Sequence, residues 1–110
     1  MIRFEDVETK MLEEFKGGTG IAQMKMVVDE NNKIVLGRLA KGCSIGEHAH
    51  EVDSEIIYVI SGEARVVLNG ETEICGPGQV SYCPQGSKHS TANNGEEDLV
   101  FFAVIPTHSK

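Results

Sequence analysis

From Asp29 onward the chain is broken at short intervals by clusters of Gly, Asn, Asp and Pro: DENN (29–32), AKG (40–42), SG (61–62), NG (69–70), GPG (76–78), PQG (84–86) and NNGEED (93–98). These residues reach the positive-φ or fixed-φ geometries that turns require, so only short elements fit between them. The intervening segments are rich in β-branched and apolar residues: IAQMKMVV, KIVLGRLA, EIIYVIS, EARVVLN, ETEICG, QVSYCP and DLVFFAVI. Short strands separated by turn signals predict an all-β sandwich or barrel. Asn69-Gly70, between ARVVL and ETEI, predicts a type I′ hairpin, a turn that needs positive φ twice.

Alternation along a strand shows what each face meets. In EIIYVIS, Glu55, Ile57 and Val59 share one face, while Ile56, Tyr58 and Ile60 share the other. Both faces are apolar, and DLVFFAVIP behaves the same way. Such strands should be covered on both sides, by the core and by a second sheet or a partner subunit, which points to a homodimer. Near the N-terminus, Val7, Met11 and Phe15 recur at i, i+4, i+8 and predict a short helix within residues 5–16, ended by the glycines at 17, 18 and 20.

The 110 residues suit one domain over 1–110, with no repeat or linker composition to divide it. The net charge of −7 and the lack of any Lys/Arg cluster argue against nucleic acid and anionic membranes, which both need cationic partners. No apolar run approaches the ~20 residues that span a bilayer, and the acidic start MIRFEDVETKMLEEF lacks a signal-peptide core, so a cytoplasmic location is expected. Cys43, Cys75 and Cys83 are odd in number and lack Cys-x-x-Cys spacing, which fits buried thiols rather than disulfides or a zinc knuckle.

The residues that carry chemistry lie in GEHAHEVDSE (46–55). A His-x-His pair alone fits a solvated loop as well as a metal site. On a strand, however, His48 and His50 share one face, and a turn through EVDS would bring Glu55 beside them as the first inward residue of EIIYVIS. His89 follows the loop PQGSK. Three imidazoles and one carboxylate suit a borderline divalent ion such as Mn, Fe, Co, Ni or Zn. They would leave open positions for water, substrate or dioxygen. Within the stretch, Glu51 and Asp53 read as turn residues rather than ligands.

Two spacings give these residues a wider context. From Gly42 the chain runs five residues to His48, one to His50, four to Glu55 and six to Gly62. From Gly78 it runs five residues to Pro84, one to Gly86, two to His89 and three to Asn93. The first (42–62) resembles motif 1 of the cupin superfamily, G-x5-H-x-H-x(3,4)-E-x6-G, and the second (78–93) resembles motif 2, G-x5-P-x-G-x2-H-x3-N, at every fixed position. The resemblance implies a cupin double-stranded β-helix, or jelly-roll barrel. It also implies that His48, His50, Glu55 and His89 are ligands of one divalent transition metal.

A metal with open positions implies an enzyme acting on a small organic molecule, of oxygenase or isomerase type; the other reading is a non-catalytic metal-containing module that binds or senses a small molecule. No Ser/His/Asp or Cys/His constellation and no phosphate loop is present. Tyr58, Tyr82 and Cys83 are the non-ligand candidates for a general acid or base. Met24 and Met26 read as core or pocket wall, Arg38 as an edge or interface arginine, and His108 as a disordered tail residue.

Overall fold

The computed structural model describes residues 1–108, and its regular secondary structure is almost entirely β-strand. Its strands are β1 (Lys10–Glu13), β2 (Ile21–Val28), β3 (Asn32–Leu39), β4 (Ser44–Ala49), β5 (Glu55–Ser61), β6 (Ala64–Leu68), β7 (Glu71–Cys75), β8 (Val80–Cys83), β9 (Lys88–Asn93) and β10 (Leu99–Pro106). They form a six-stranded sheet of order β1-β2-β3-β10-β5-β8 and a four-stranded sheet of order β4-β9-β6-β7, with every pairing antiparallel. This is the all-β jelly-roll architecture that the turn punctuation and the two motifs lead one to expect.

The core fills the space between the sheets, with Leu39, Val35, Val59, Val66, Leu99 and Phe101 almost completely buried. Each such side chain contributes about 1.5–3 kcal/mol relative to exposure. At the Asn69-Gly70 turn both residues have positive φ (49° and 84°), as the type I′ reading requires. The Asn69 side chain also accepts from the Lys88 backbone N–H and donates to Ser87 Oγ, tying this hairpin to the start of β9. Asn93, the last motif position, donates to the carbonyls of Leu39 and Glu97 and accepts from the Gly95 N–H, closing the 94–97 loop onto β3.

Two expectations are corrected near the termini. Residues 5–16 form no α-helix: 3-10 turns at Phe4–Asp6 and Phe15–Gly17 flank β1, which pairs with β2. A helix of that length is marginal in water, and the open edge of β2 supplies backbone partners instead. Met11, on the predicted apolar face, is 56% exposed, whereas Leu12 packs against the core. His108 is not a loose tail. Its backbone N–H donates to Val52 O, its Nε2 lies 2.8 Å from Ser54 Oγ, and the neighbouring Thr107 bridges to Asp53.

The faces of β5 separate cleanly. Glu55, Ile57 and Val59 are buried, but Ile56, Tyr58 and Ile60 are 40–46% exposed in the single chain. They continue across the sheet into Phe102 on β10 and into Val80 and Tyr82 on β8. Arg38 pairs with Asp98 at 2.8 Å, away from the interior.

Residues 14–20 form a turn that lies directly on β4. Thr19 N–H donates to Ser44 Oγ, and Ser44 N–H donates to Thr19 O. The contact is close because glycines face each other: a Cβ on Gly46 would sit 2.1 Å from Lys16 O, and one on Gly18 would sit 2.2 Å from Ser44 O. Gly46→Ala should therefore cost on the order of 1–3 kcal/mol by overpacking against backbone. Urea denaturation should show a lowered midpoint at unchanged m-value, and a midpoint equal to wild type would contradict the clamp.

Candidate metal centre

Four side chains from three separate stretches meet at one end of the space between the sheets. His48 on β4 and His89 on β9 are direct cross-strand partners, Glu55 opens β5 on the facing sheet, and His50 lies just beyond β4. His50 is fixed by the turn carrying Pro84 and Gly86: its N–H donates to Ser87 O at 2.9 Å, and its carbonyl accepts from the Gly86 N–H at 2.7 Å. The two motifs, separate in sequence, thus interlock through backbone into one unit in space. Burial is deep: His50, Glu55 and His89 are all under 9% exposed, and His48 is the most open of the four.

The donor atoms lie within 4.8 Å of one another. Glu55 Oε1 is 2.9 Å from His89 Nε2, 3.1 Å from His50 Nε2 and 3.7 Å from His48 Nε2, and the His50 and His89 Nε2 atoms are 3.0 Å apart. Ligands bound at ~2.1 Å sit about 3 Å apart when adjacent and about 4.2 Å apart when opposite, so the cluster has the dimensions of a single coordination sphere.

Proton positions give a separate test of fit. His48 Nδ1 lies 2.8 Å from Gly46 O, which only accepts, so Nδ1 carries the hydrogen and a neutral His48 turns the Nε2 lone pair inward. His50 Nδ1 donates to Asp53 Oδ1 at 2.7 Å, with the same consequence. Two imidazole lone pairs and a carboxylate therefore converge, and only protons or a cation make that arrangement favourable. The donor set and its outer hydrogen bonds fit a divalent transition metal.

With protons in place of a cation, His50 can donate from Nε2 to Glu55 only as an imidazolium. The hydrogen bond with Glu55 raises its pKa above the ordinary 6.5, burial opposes that, and Asp53 adds to it. Burial pushes the Glu55 carboxyl up, but the hydrogen bonds from His48, His50 and His89 together outweigh it and hold Glu55 well below the ordinary 4.5.

A cavity of about 140 Å³ opens over the cluster. Its floor holds His48, His50, Asp53 and Glu55; Met24, Met26, Val35 and Ile105 line one wall, Phe15 and Ile45 another, and Lys16 and Lys33 also border it. The two methionines are wall residues, as the sequence suggests. The proposed acid/base groups fall elsewhere. Tyr58 and Tyr82 project from the outer face, 43% and 53% exposed. Cys83, paired with Glu55, does not line the cavity, and burial followed by the Glu55 and Asp53 charges pushes its thiol up to about 11. Cys43 and Cys75 lie outside the four-residue cluster and all three cysteines are free. Asp53, read from sequence as a turn residue, orients His50, and the bridge to Thr107 that helps hold it there joins residues far apart in the chain.

The cupin domain family profile matches residues 35–105 of this chain. The oxalate-binding protein of Thermotoga maritima is 32% identical over 111 residues, spanning 96% of this chain and 92% of that protein. A crystal structure of a predicted oxalate decarboxylase from Thermotoga maritima superposes with a TM-score of 0.91 at 28% identity, covering 97% of this chain and 98% of the other. KdgF from Halomonas sp. superposes at 0.79 with 23% identity, covering 99% and 93%, a likeness of fold.

The two shifted groups set a pH dependence. In the metal-free protein, the depressed Glu55 contributes stability that is present above about 4.5 and lost as pH falls through its folded value. The raised His50 contributes stability that is present below about 6.5 and lost as pH rises through its folded value. The metal-free chain should gain most from this cluster between those values. Metal must displace the His50 proton, so the rise in melting temperature on adding Ni²⁺ should grow from about pH 5.5 to about pH 7.5. A shift that is flat or shrinks with pH would contradict binding at this cluster.

Proposed function

The chain belongs to the cupin domain family, and from that premise we propose that His48, His50, Glu55 and His89 bind one divalent transition metal that captures a small carboxylate ligand. The observation that carries this reading is the convergence of four donors, two of them turned inward by Gly46 O and Asp53 and three of them lining the floor of a concave cavity. The ligand class draws support from the oxalate-binding relative and from the solved structure described as a predicted oxalate decarboxylase. Held by His48, His50, Glu55 and His89, a divalent ion would supply a Lewis-acid centre for a carboxylate oxygen.

Capture without turnover is the first reading because the cavity is mainly apolar above the cluster and Asp53 is engaged with His50. Turnover of the bound carboxylate, by decarboxylation, isomerisation or oxygenation, is the second reading. It is favoured by the position of the cluster, whose His48 side opens into the cavity rather than into the core.

Metal analysis and calorimetric titration with oxalate separate these readings. The wild type should hold about one metal per chain and bind oxalate only when loaded, and His50→Ala should lose both properties. No metal under any loading condition, or oxalate binding indifferent to chelator, would overturn the proposal. Carbon dioxide release or oxygen uptake with oxalate would move the assignment to the second reading.

We also infer a homodimer through the outer face of the six-stranded sheet. Ile56, Tyr58, Ile60, Val80 and Tyr82 are each 40–56% exposed and carry no charge, in a chain of net charge −7. Each exposes on the order of 100 Å², and with the half-buried neighbours the face approaches the ~800 Å² per partner of a standard interface. A second copy is the occupant this uncharged face suits, since like surfaces meet there without opposing acids. Sedimentation should show a dimer for wild type and a monomer for Tyr58→Asp combined with Tyr82→Asp; a monomeric wild type at tens of micromolar overturns the inference.

A further inference from the structure

Lys33 is the first inward-facing residue of β3. Val35, Gly37 and Leu39 share its side of the strand and are buried, and its cross-strand partner Ile105 lines the same cavity. Lys33 itself is exposed and borders the cavity, so it stands at the rim. Lys16 borders the cavity from the clamped 14–20 turn, in a left-handed conformation (φ 57°) that a non-glycine residue adopts at a cost. Among the described residues neither ammonium makes an ion pair; Lys16 Nζ lies 5.4 Å from the centroid of the Phe15 ring. The acids that line the cavity, Asp53 and Glu55, are both engaged by histidines. Anionic chemistry at the rim therefore meets two cations and no free acid.

Between floor and rim one wall is aliphatic, built of Met24, Met26, Val35 and Ile105, which offer no hydrogen bond to a ligand; Thr91 supplies a hydroxyl elsewhere in the lining. The volume of about 140 Å³ is close to that of an engineered ~150 Å³ cavity that takes up benzene. Oxalate has no methylene to set against this wall, and apolar surface without partner atoms forfeits its contact energy.

We propose that the ligand is an aliphatic dicarboxylate longer than oxalate. One carboxylate sits at the His/Glu cluster, the methylene chain lies along Met24, Met26, Val35 and Ile105, and the far carboxylate is held by Lys33 with Lys16 beside it. The inference rests on the carboxylate reading given above and selects among carboxylates. It makes Lys33 a specificity-determining residue that has no part in holding the metal.

Calorimetric titration of the metal-loaded protein with oxalate, malonate, succinate, glutarate and adipate, and with pentanoate as the monocarboxylate control, tests it. Affinity should rise by about threefold to fourfold per methylene until the cavity is full. Glutarate should bind about tenfold tighter than pentanoate, as a charge-assisted contact predicts. Lys33→Met should abolish that tenfold difference, weaken glutarate more than oxalate and leave metal content unchanged, and Lys33→Arg should retain most of the difference. Melting curves without ligand show that each variant is folded. Oxalate binding tightest, or Lys33→Met leaving glutarate binding intact, overturns the inference and leaves the carboxylate reading standing. No metal-dependent binding anywhere in the series overturns both.

Discussion

Electron-rich donor atoms aimed at one point repel, and much of this chain is arranged to hold four such side chains together. Glu55 comes from one sheet and His48 and His89 from the other, so the cluster exists only where the sheets are closed on each other. His50 belongs to neither sheet and is held by backbone bonds to the turn at Pro84–Ser87. That turn is tied in its own right to the Asn69 hairpin. The loop bearing Asp53 is pinned by the chain end through Thr107 and His108. Each support reaches the cluster from a different part of the sequence, which is how a small barrel imposes an unfavourable arrangement of donors on itself.

The parts legible in the sequence are those where one residue type meets one physical demand. Positive φ at Asn69-Gly70 names its own turn, and three histidines and a glutamate at motif spacing name a candidate metal site whose members the fold does bring together. The apolar segments gave strands because alternation follows directly from a half-buried sheet. β4 (SIGEHA) and β9 (KHSTAN) stood out less, because their inward positions carry the site's histidines instead of apolar side chains. Function erased the local pattern there.

Elsewhere tertiary context decided. Val7, Met11 and Phe15 have helical spacing, but the edge of β2 captures the segment as a strand. Asp53 looks like any acid in a turn until the chain end places it against His50. Lys33 looks like the polar start of an apolar strand until the register with Ile105 shows which side it faces. Tyr58 is near Glu55 in sequence and Tyr82 is paired beside it across β5 and β8, yet both lie on the opposite side of the sheet, since one step along a strand reverses direction.

The 14–20 turn supplies Phe15 and Lys16 to the cavity but none of the four clustered donors. It is fastened to β4 by backbone and a serine hydroxyl, not by those two side chains. Phe15 also packs against the core, so Lys16 is the position where a changed side chain alters the cavity border while the four donors keep their supports. In such a design selection can retune the appetite of the pocket while the four donors stay inherited, so relatives with the same four donors need not share a ligand.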